Sequence, residues 1–127
     1  MPFKLTNEVK ATSLVIYADT YIRGFELTYN NGMTQTFCKT TLLSVAIDLS
    51  TILIKDISIS SSLWLESMQF CYLNKPSLLT NACSNWAGVM PLLYNTISIN
   101  PFEIELIGAY GYCDIYINHF ALIFKEF

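Results

Sequence analysis

The chain has 127 residues, of which 53% are hydrophobic and only 13% are charged, and its formal net charge is -3. This length suits one domain with a sizeable core, and we expect residues 1–127 to form a single domain. The charged residues occur singly, so no surface can neutralise a row of phosphates, and we expect no nucleic-acid partner.

The apolar stretches stop short of the roughly 20 residues that a membrane-spanning helix needs. Residues 1–13 also lack the apolar core of a signal peptide. We therefore expect a soluble protein without membrane insertion, and a cytoplasmic location is favoured over secretion by a non-classical or unseen signal. Four cysteines, Cys38, Cys71, Cys83 and Cys113, contain no C-x-x-C pair, and there is one histidine. We expect no metal site and no cofactor, and we expect the thiols to be reduced and mostly buried.

Apolar and polar residues alternate with period two along most of the chain, and β-branched and aromatic residues are concentrated in the same windows. This pattern is typical of strands. The first window ends at Asn30-Asn31-Gly32, a turn signal because Asn and Gly tolerate positive φ. Further strand windows follow in TQTFCKTTLL, VAIDLS and ILIKDISISSSLWLESMQFCYL, whereas LLTNACSNWAGVMPLLY is irregular. No window of helical length has a convincing 3.6-residue period, so the sequence predicts an all-β protein.

The last part of the chain contains two apolar strand-like runs, 104–107 and 117–124. We interpret the residues between them, GAYGYCDIY, as a turn rich in glycine and tyrosine. Turn-forming, aromatic and polar residues are denser here than anywhere else in the chain. We therefore expect any functional site to lie in this region.

Three segments share one pattern of aromatic, aliphatic and polar residues: YIRGFELTY from Tyr21, WLESMQFCY from Trp64 and YINHFALIF from Tyr116. Their starts lie 43 and 52 residues apart, and each segment follows a short loop and an apolar run. Three copies of a hairpin-like unit predict three similar small sheets around one core. The pattern predicts equivalent positions for three residues of that core, Ile22, Leu65 and Ile117.

This three-fold pattern resembles that of the jacalin-related lectins over roughly residues 10–125. The most specific segments are IRGFELTYNNG, ILIKDISISSSLWLESMQFCYLNK and IELIGAYGYCDIYINHFALIF. The resemblance implies a β-prism of three four-stranded antiparallel Greek-key sheets with pseudo-three-fold symmetry. It also implies a lectin that binds a mono- or oligosaccharide reversibly and without metal, near residues 110–118.

In that family, the last loop carries a G-x-x-x-D motif whose backbone N–H groups and carboxylate hold sugar hydroxyls. The matching positions here run from Asp114 to Asn118, so an aspartate replaces the glycine and an asparagine replaces the aspartate. An amide offers one acceptor and one donor, whereas a carboxylate accepts from two hydroxyls. The family also supplies a glycine-rich N-terminal loop to this pocket, and MPFKLTNEVKA contains no glycine. The resemblance therefore implies a site with one wall missing or rebuilt, and with weaker or altered sugar binding.

A pyranose has hydroxyls and an apolar C–H face, so its site needs fixed polar groups beside an aromatic plane. Tyr110, Tyr112 and Tyr116 offer such planes in the third unit, and Trp64 lies in the matching loop of the second. The candidate ligand-binding residues are Asp114, Ile115, Tyr116, Asn118, Tyr112 and Trp64. The alternative is that the tyrosines cap the end of the prism and that Asp114 and Asn118 bond their own backbone.

No pattern in the sequence indicates an enzyme. Glu103 and Glu105 lie two apart on a predicted strand, where a solvated edge is the simpler interpretation than a glycosidase pair. His119 has no nearby cysteine or serine in the order of a catalytic triad, and no phosphate-binding loop, G-x-S-x-G or dinucleotide motif is present. The second functional hypothesis is a sugar-inactive β-prism that serves as a protein-interaction or oligomerisation module. With few charges and many aromatic residues, we expect a homo-oligomer.

Overall fold

Three long β-hairpins, one from each repeated segment, form the centres of three antiparallel sheets. The computed structural model describes residues 2–6, 10–75, 81–102 and 104–126, which contain strands, turns and no helix. The strands are β1 (Pro2–Thr6), β2 (Ala11–Ala18), β3 (Ile22–Tyr29), β4 (Thr34–Cys38), β5 (Ser44–Asp48), β6 (Ile52–Ser61), β7 (Leu65–Asn74), β8 (Asn81–Cys83), β9 (Asn95–Ser98), β10 (Ile104–Cys113) and β11 (Ile117–Glu126). The sheets have the strand orders β4-β3-β2-β5, β8-β7-β6-β9 and β1-β10-β11. The predicted all-β prism is confirmed.

The three hairpins are equivalent in register as well as in shape. Ile22, Leu65 and Ile117 pair with the last residues of β2, β6 and β10, and each is buried. One residue further along, each hairpin has a β-bulge, since the register shifts at the same place in all three. The predicted equivalence of these core positions is therefore seen in the hydrogen-bond ladders.

The third sheet has three strands among the described residues, whereas the resemblance implied four. β1 pairs with β10 on the side where β5 pairs with β2 and β9 pairs with β6. No described segment takes the position beside β11 that β4 and β8 take beside β3 and β7. β1 is thus the third strand of the sheet that is built by the last two strands of the chain.

The inner faces of the sheets meet in one hydrophobic core. Leu14, Ile16 and Phe25 come from the first sheet, Met68 and Phe70 come from the second, and all five are fully buried. Alternation with period two places these side chains inward and the intervening polar ones outward. The third sheet joins the core through aromatic stacking, because the Phe120 ring lies 4.3 Å from the Phe25 ring and nearly parallel to it.

Two glycines, Gly32 and Gly88, have a positive φ, a backbone conformation that other residues rarely adopt. Gly32 has a φ of 87° in the β3–β4 turn, as the Asn30-Asn31-Gly32 signal predicts. Gly88 has a φ of 84°, and a Cβ there would lie 2.3 Å from the carbonyl oxygen of Glu66. The irregular segment before β9 therefore runs antiparallel alongside β7 in close backbone contact, and an isolated bridge between Met68 and Ala87 holds it there.

The expectation of reduced cysteines is wrong. Cys38 forms a disulfide with Cys113, and Cys71 forms one with Cys83, with Cα atoms 6.3 and 4.0 Å apart. Cys71 and Cys83 are direct cross-strand partners on β7 and β8. Cys38 and Cys113 end strands of two different sheets, 75 residues apart in sequence. The spacing of the cysteines along the sequence does not reveal either pair. Of the four cysteine side chains, only that of Cys113 is buried, so the expectation of mostly buried cysteines is wrong as well.

The segment GAYGYC, predicted as part of a turn, is strand. β10 continues to Cys113, and the turn contains only residues 114–116. Pairing with both β1 and β11 satisfies the backbone of this segment, so its glycines do not break the strand. No helix in the described ranges is long and apolar enough to cross a membrane.

Candidate functional site

Each hairpin reverses through a three-residue loop, at residues 19–21, 62–64 and 114–116. In each loop, the first residue's N–H donates to the third residue's carbonyl oxygen at 3.0 Å. In the first and third loops, Oδ1 of Asp19 and of Asp114 also accepts from the N–H of the third residue, at 3.1 and 3.2 Å. The three loops are therefore short and internally bonded, and they lie together at one end of the prism.

The last residues of the three loops form an aromatic cluster over the core. Ring centroids are 5.6 Å apart for Tyr21 and Trp64, 5.4 Å for Tyr21 and Tyr116, and 4.7 Å for Trp64 and Tyr116. All three side chains are partly buried. Such edge-to-face and stacked pairs each contribute about 0.5–1.5 kcal/mol beyond their buried area. Trp64 and Tyr116, two of the predicted ligand-binding residues, thus close the end of the prism. For Tyr116, this is the capping role that the alternative interpretation predicted.

Arg23 joins the first loop to the third, a role that no pattern in the sequence indicated. Its Nε lies 3.0 Å from Oδ1 of Asp19, and its Nη1 donates to the carbonyl oxygen of Ile115 at 3.2 Å. Its guanidinium carbon lies 4.7 Å from the centre of the Tyr116 ring, in cation–π contact. The hydrogen bond from Arg23 lowers the pKa of Asp19 below its usual value. The third loop is thereby fixed from outside as well as from within.

Asn118 is the bulge residue of the third hairpin, equivalent to Arg23 in the first and Glu66 in the second. Its side chain is exposed, and it has no hydrogen bond to another described residue. Aligning the three repeats on their bulges would have revealed that a cation, an anion and an amide occupy this one position. In the third unit, the amide remains available to a ligand.

Asp114 and Ile115 have separate roles in the third loop. The carboxylate of Asp114 bonds the Tyr116 N–H, as the alternative interpretation predicts, so that N–H is already occupied. Within the described part of the chain, the Ile115 N–H has no acceptor, and the Ile115 side chain is exposed. The loop therefore presents one backbone donor rather than two.

Tyr112 lies outside the loop, on the exposed face of β10. Its partner on β11 is His119, the residue after Asn118, so its ring belongs to the sheet surface beside the bulge. Tyr110 lies on the same face, one alternation further from the loop. The third unit therefore combines a free amide, a free N–H and an exposed aromatic residue at the loop end.

The remaining sequence candidates do not join this group. Glu103 lies outside the described residues, and Glu105 is near the far end of β10. His119 is exposed on β11. The sequence predicted that the N-terminal segment leaves one wall of the sugar site missing or rebuilt. Residues 7–9 of that segment also lie outside the described residues.

No family model matches the chain, and no curated protein matches it either. Solved structures match it at low identity. A prostate-specific WGA16 glycoprotein lectin is 14% identical with a TM-score of 0.73, over 98% of this chain and 90% of that one. A wild-type Malaysian banana lectin is 13% identical with a TM-score of 0.71, over 98% and 89%. A galactose-specific lectin from Artocarpus hirsuta, in complex with methyl-α-D-galactose, is 16% identical with a TM-score of 0.67, over 98% and 98%. The match covers nearly the whole chain, and the protein has the β-prism fold of the jacalin-related lectins.

Proposed function

We propose that this protein is a lectin that binds a mono- or oligosaccharide at the third loop, reversibly, without a metal ion and without catalysis. The observation that carries the proposal is the position of Asn118, whose amide is exposed on the bulge beside the loop at residues 114–116. The comparison with the Artocarpus hirsuta lectin supports it, since that protein of the same fold is in complex with a galactoside.

The chemistry of the site suits an uncharged ligand. The Asn118 side chain offers one acceptor and one donor, and the Ile115 N–H offers a second donor. Tyr112 supplies an exposed aromatic residue for the apolar face of a sugar ring. Trp64, Tyr116 and Asp114 act indirectly, because they hold the loop in place. Without a carboxylate at position 118, the charge-assisted hydrogen bonds are absent, so we expect modest affinity.

We also propose that the protein is a homo-oligomer. Tyr110 and Tyr112 are about half exposed on one face of β10, and exposed tyrosines on a sheet with few charges suit a subunit interface. Light scattering at high micromolar concentration should show a dimer or a larger assembly. A monomer under those conditions would contradict this part of the proposal.

A glycan array followed by titration calorimetry tests the binding function. Mannose, galactose and a sulfated glycan cover the main chemical classes, and we expect binding to at least one array member with a measurable Kd. If no glycan binds a folded sample with both disulfides intact, the lectin proposal fails. The interaction-module hypothesis would then be the better account of this prism.

A further inference from the structure

The loop end of the prism carries the most exposed hydrophobic side chains of the described residues. Eight large hydrophobic side chains are 58–105% exposed, and they fall in only four places in the chain. Leu63 and Ile115 are the middle residues of the second and third loops, and the others lie in segments 42–43 and 89–93. Patches of this kind on a soluble protein mark an interaction surface.

Hydrogen bonds and strand register place all four segments at the same end. The Ala18 N–H donates to the carbonyl oxygen of Leu43, beside the first loop. The Val89 N–H donates to the carbonyl oxygen of Thr20, within that loop. β9 starts opposite Ile59, close to the loop end of β6, so the preceding residues lie at the level of the second loop. We call the exposed hydrophobic residues of 42–43, 63, 89–93 and 115 the apolar tip.

The apolar tip contains no charge. No charged residue occurs from position 76 to position 102, or from position 40 to position 47. Among the described residues, the charged side chains at the same end are Asp19 and Asp114 in the loops, Arg23 and Glu66 at the bulges, and Lys39 after β4. They comprise three carboxylates and two cations, and Arg23 is paired with Asp19. This end of the prism therefore has no excess of positive charge that would attract an anionic partner.

We propose that the apolar tip inserts its side chains into the interfacial layer of a lipid bilayer. The tip consists of separate projecting segments with aliphatic side chains, whereas the residues that dominate protein interfaces are Trp, Tyr and Arg in pockets, and Leu and Val are under-represented there. The aromatic side chains lie behind the tip, in the cluster of Tyr21, Trp64 and Tyr116 and in the Trp86–Tyr94 pair with ring centroids 5.1 Å apart. Aromatic rings with a polar group favour the headgroup level of a membrane. This inference rests on the exposed side chains and holds whether or not the third loop binds a sugar.

Cosedimentation of the full chain with phosphatidylcholine vesicles that contain no glycolipid tests the inference. We expect binding that persists at high salt and does not increase when phosphatidylserine is added, because apolar burial and not charge holds the tip. Leu42→Glu and Leu92→Glu should each lower the partition coefficient at least about tenfold. Phe102→Glu is the matched control, since Phe102 is exposed at the opposite end of the prism, and it should bind as the native protein does.

Circular dichroism and intact disulfides establish that each variant is folded. The inference is overturned if the native protein does not bind the vesicles, if the two tip variants bind as well as the native protein, or if high salt abolishes binding. It is also overturned if the tip variants dissociate an oligomer in light scattering while no form binds vesicles, because the tip would then join copies of the chain. Since the vesicles carry no sugar, none of these results depends on the glycan experiment.

Discussion

Arg23 donates a hydrogen bond to the carbonyl oxygen of Ile115 at 3.2 Å, across 92 residues of sequence. This bond holds the carbonyl group of the peptide between Ile115 and Tyr116 in place. The same guanidinium packs on Tyr116 and pairs with Asp19. The conformation of the candidate sugar loop in the third unit therefore depends on a side chain of the first unit.

Replacement of Arg23 by Ala should loosen that loop. We expect a loss of about 1 kcal/mol in the free energy of unfolding, because the change removes an exposed hydrogen bond, an exposed ion pair and a cation–π contact. Glycan affinity should fall as well. Urea unfolding and titration with a bound glycan measure the two effects.

The control for Arg23→Ala is Lys39→Ala, which removes an exposed positive charge nearby and should change stability by less than about 0.5 kcal/mol. The Asp19 pKa is lowered in the folded state, chiefly by the hydrogen bond from Arg23. The stability that this shift contributes is present above the usual aspartate pKa and is lost as pH falls through the lowered one. The difference between the two variants should therefore shrink in acid, and equal stability of both at neutral pH would refute the role of Arg23.

Asn118→Ala tests the sugar site itself. Loss of the amide leaves a ligand hydroxyl unpaired and should cost about 1–3 kcal/mol of binding, which is roughly a 5- to 150-fold rise in Kd. Asn118→Asp should hold or strengthen binding, because a carboxylate accepts from two hydroxyls. Titration calorimetry with the best array glycan measures both.

Asn30→Ala is the matched control for Asn118→Ala and should leave Kd unchanged, since Asn30 is an exposed asparagine in the β3–β4 turn at the opposite end of the prism. If the Kd of both Asn118 variants equals that of the native protein while the fold is intact, the sugar site lies elsewhere on the prism. If even the Asn118→Asp variant binds no glycan, the interaction-module hypothesis becomes the better account.

Removal of the Cys38–Cys113 disulfide should destabilise the protein more than removal of Cys71–Cys83. The first closes a separation of 75 residues and the second one of 12. Loop-closure entropy then gives about 4.5 and about 3 kcal/mol respectively. Thermal unfolding of the two double Cys→Ser variants measures the difference. A thiol assay on the unsubstituted protein, after denaturation, should find no free thiol. A lower Tm for the Cys71–Cys83 variant would reverse the predicted order.

Tyr29→Phe should stabilise the protein. The Tyr29 side chain is fully buried, and its hydroxyl has no hydrogen-bond partner among the residues that the structure describes. Removing an unpaired buried hydroxyl without changing the ring should raise the free energy of unfolding by about 1 kcal/mol or more. Tyr17→Phe is the matched control with the opposite sign, because the Tyr17 hydroxyl donates to Glu26 at 2.8 Å.

Burial also raises the pKa of Tyr29 above its ordinary value of 10.0. The stability linked to this shift is fully present below pH 10 and is lost as pH rises through the raised pKa. Tyr29→Phe should therefore lose less stability than the native protein in strongly alkaline solution. Chemical unfolding at pH 9 and above pH 10 gives the comparison, and an identical alkaline loss in both proteins would contradict the assignment.

The sequence predicted the repeated hairpins well because their signal is periodic. The spacings of 43 and 52 residues hold for the aromatic residues of the loops, the core residues after them and the bulges. The extent of the last turn was misjudged, since Gly108 and Gly111 suggested a break where pairing on both sides keeps β10 extended. Local composition does not reveal that a strand has two neighbours.

Contacts between units could not be predicted from one sequence. The Cys38–Cys113 pair, the Arg23 bridge and the cluster of Tyr21, Trp64 and Tyr116 each join residues of different sheets. The grouping of the exposed hydrophobic residues at the apolar tip could not be predicted either, because its segments are far apart in the sequence. Only the fold brings them to one end.

The pairing of β1 with β10 also sets an order of events during synthesis. All strands of the first sheet have been made once residue 48 is joined, so that sheet needs only local sequence. β1 must wait for a partner that begins about 100 residues later, which at ribosomal speed is roughly 5–20 s. During that interval the nascent chain exposes an unpaired first strand, and a chaperone that binds extended segments would find its target there.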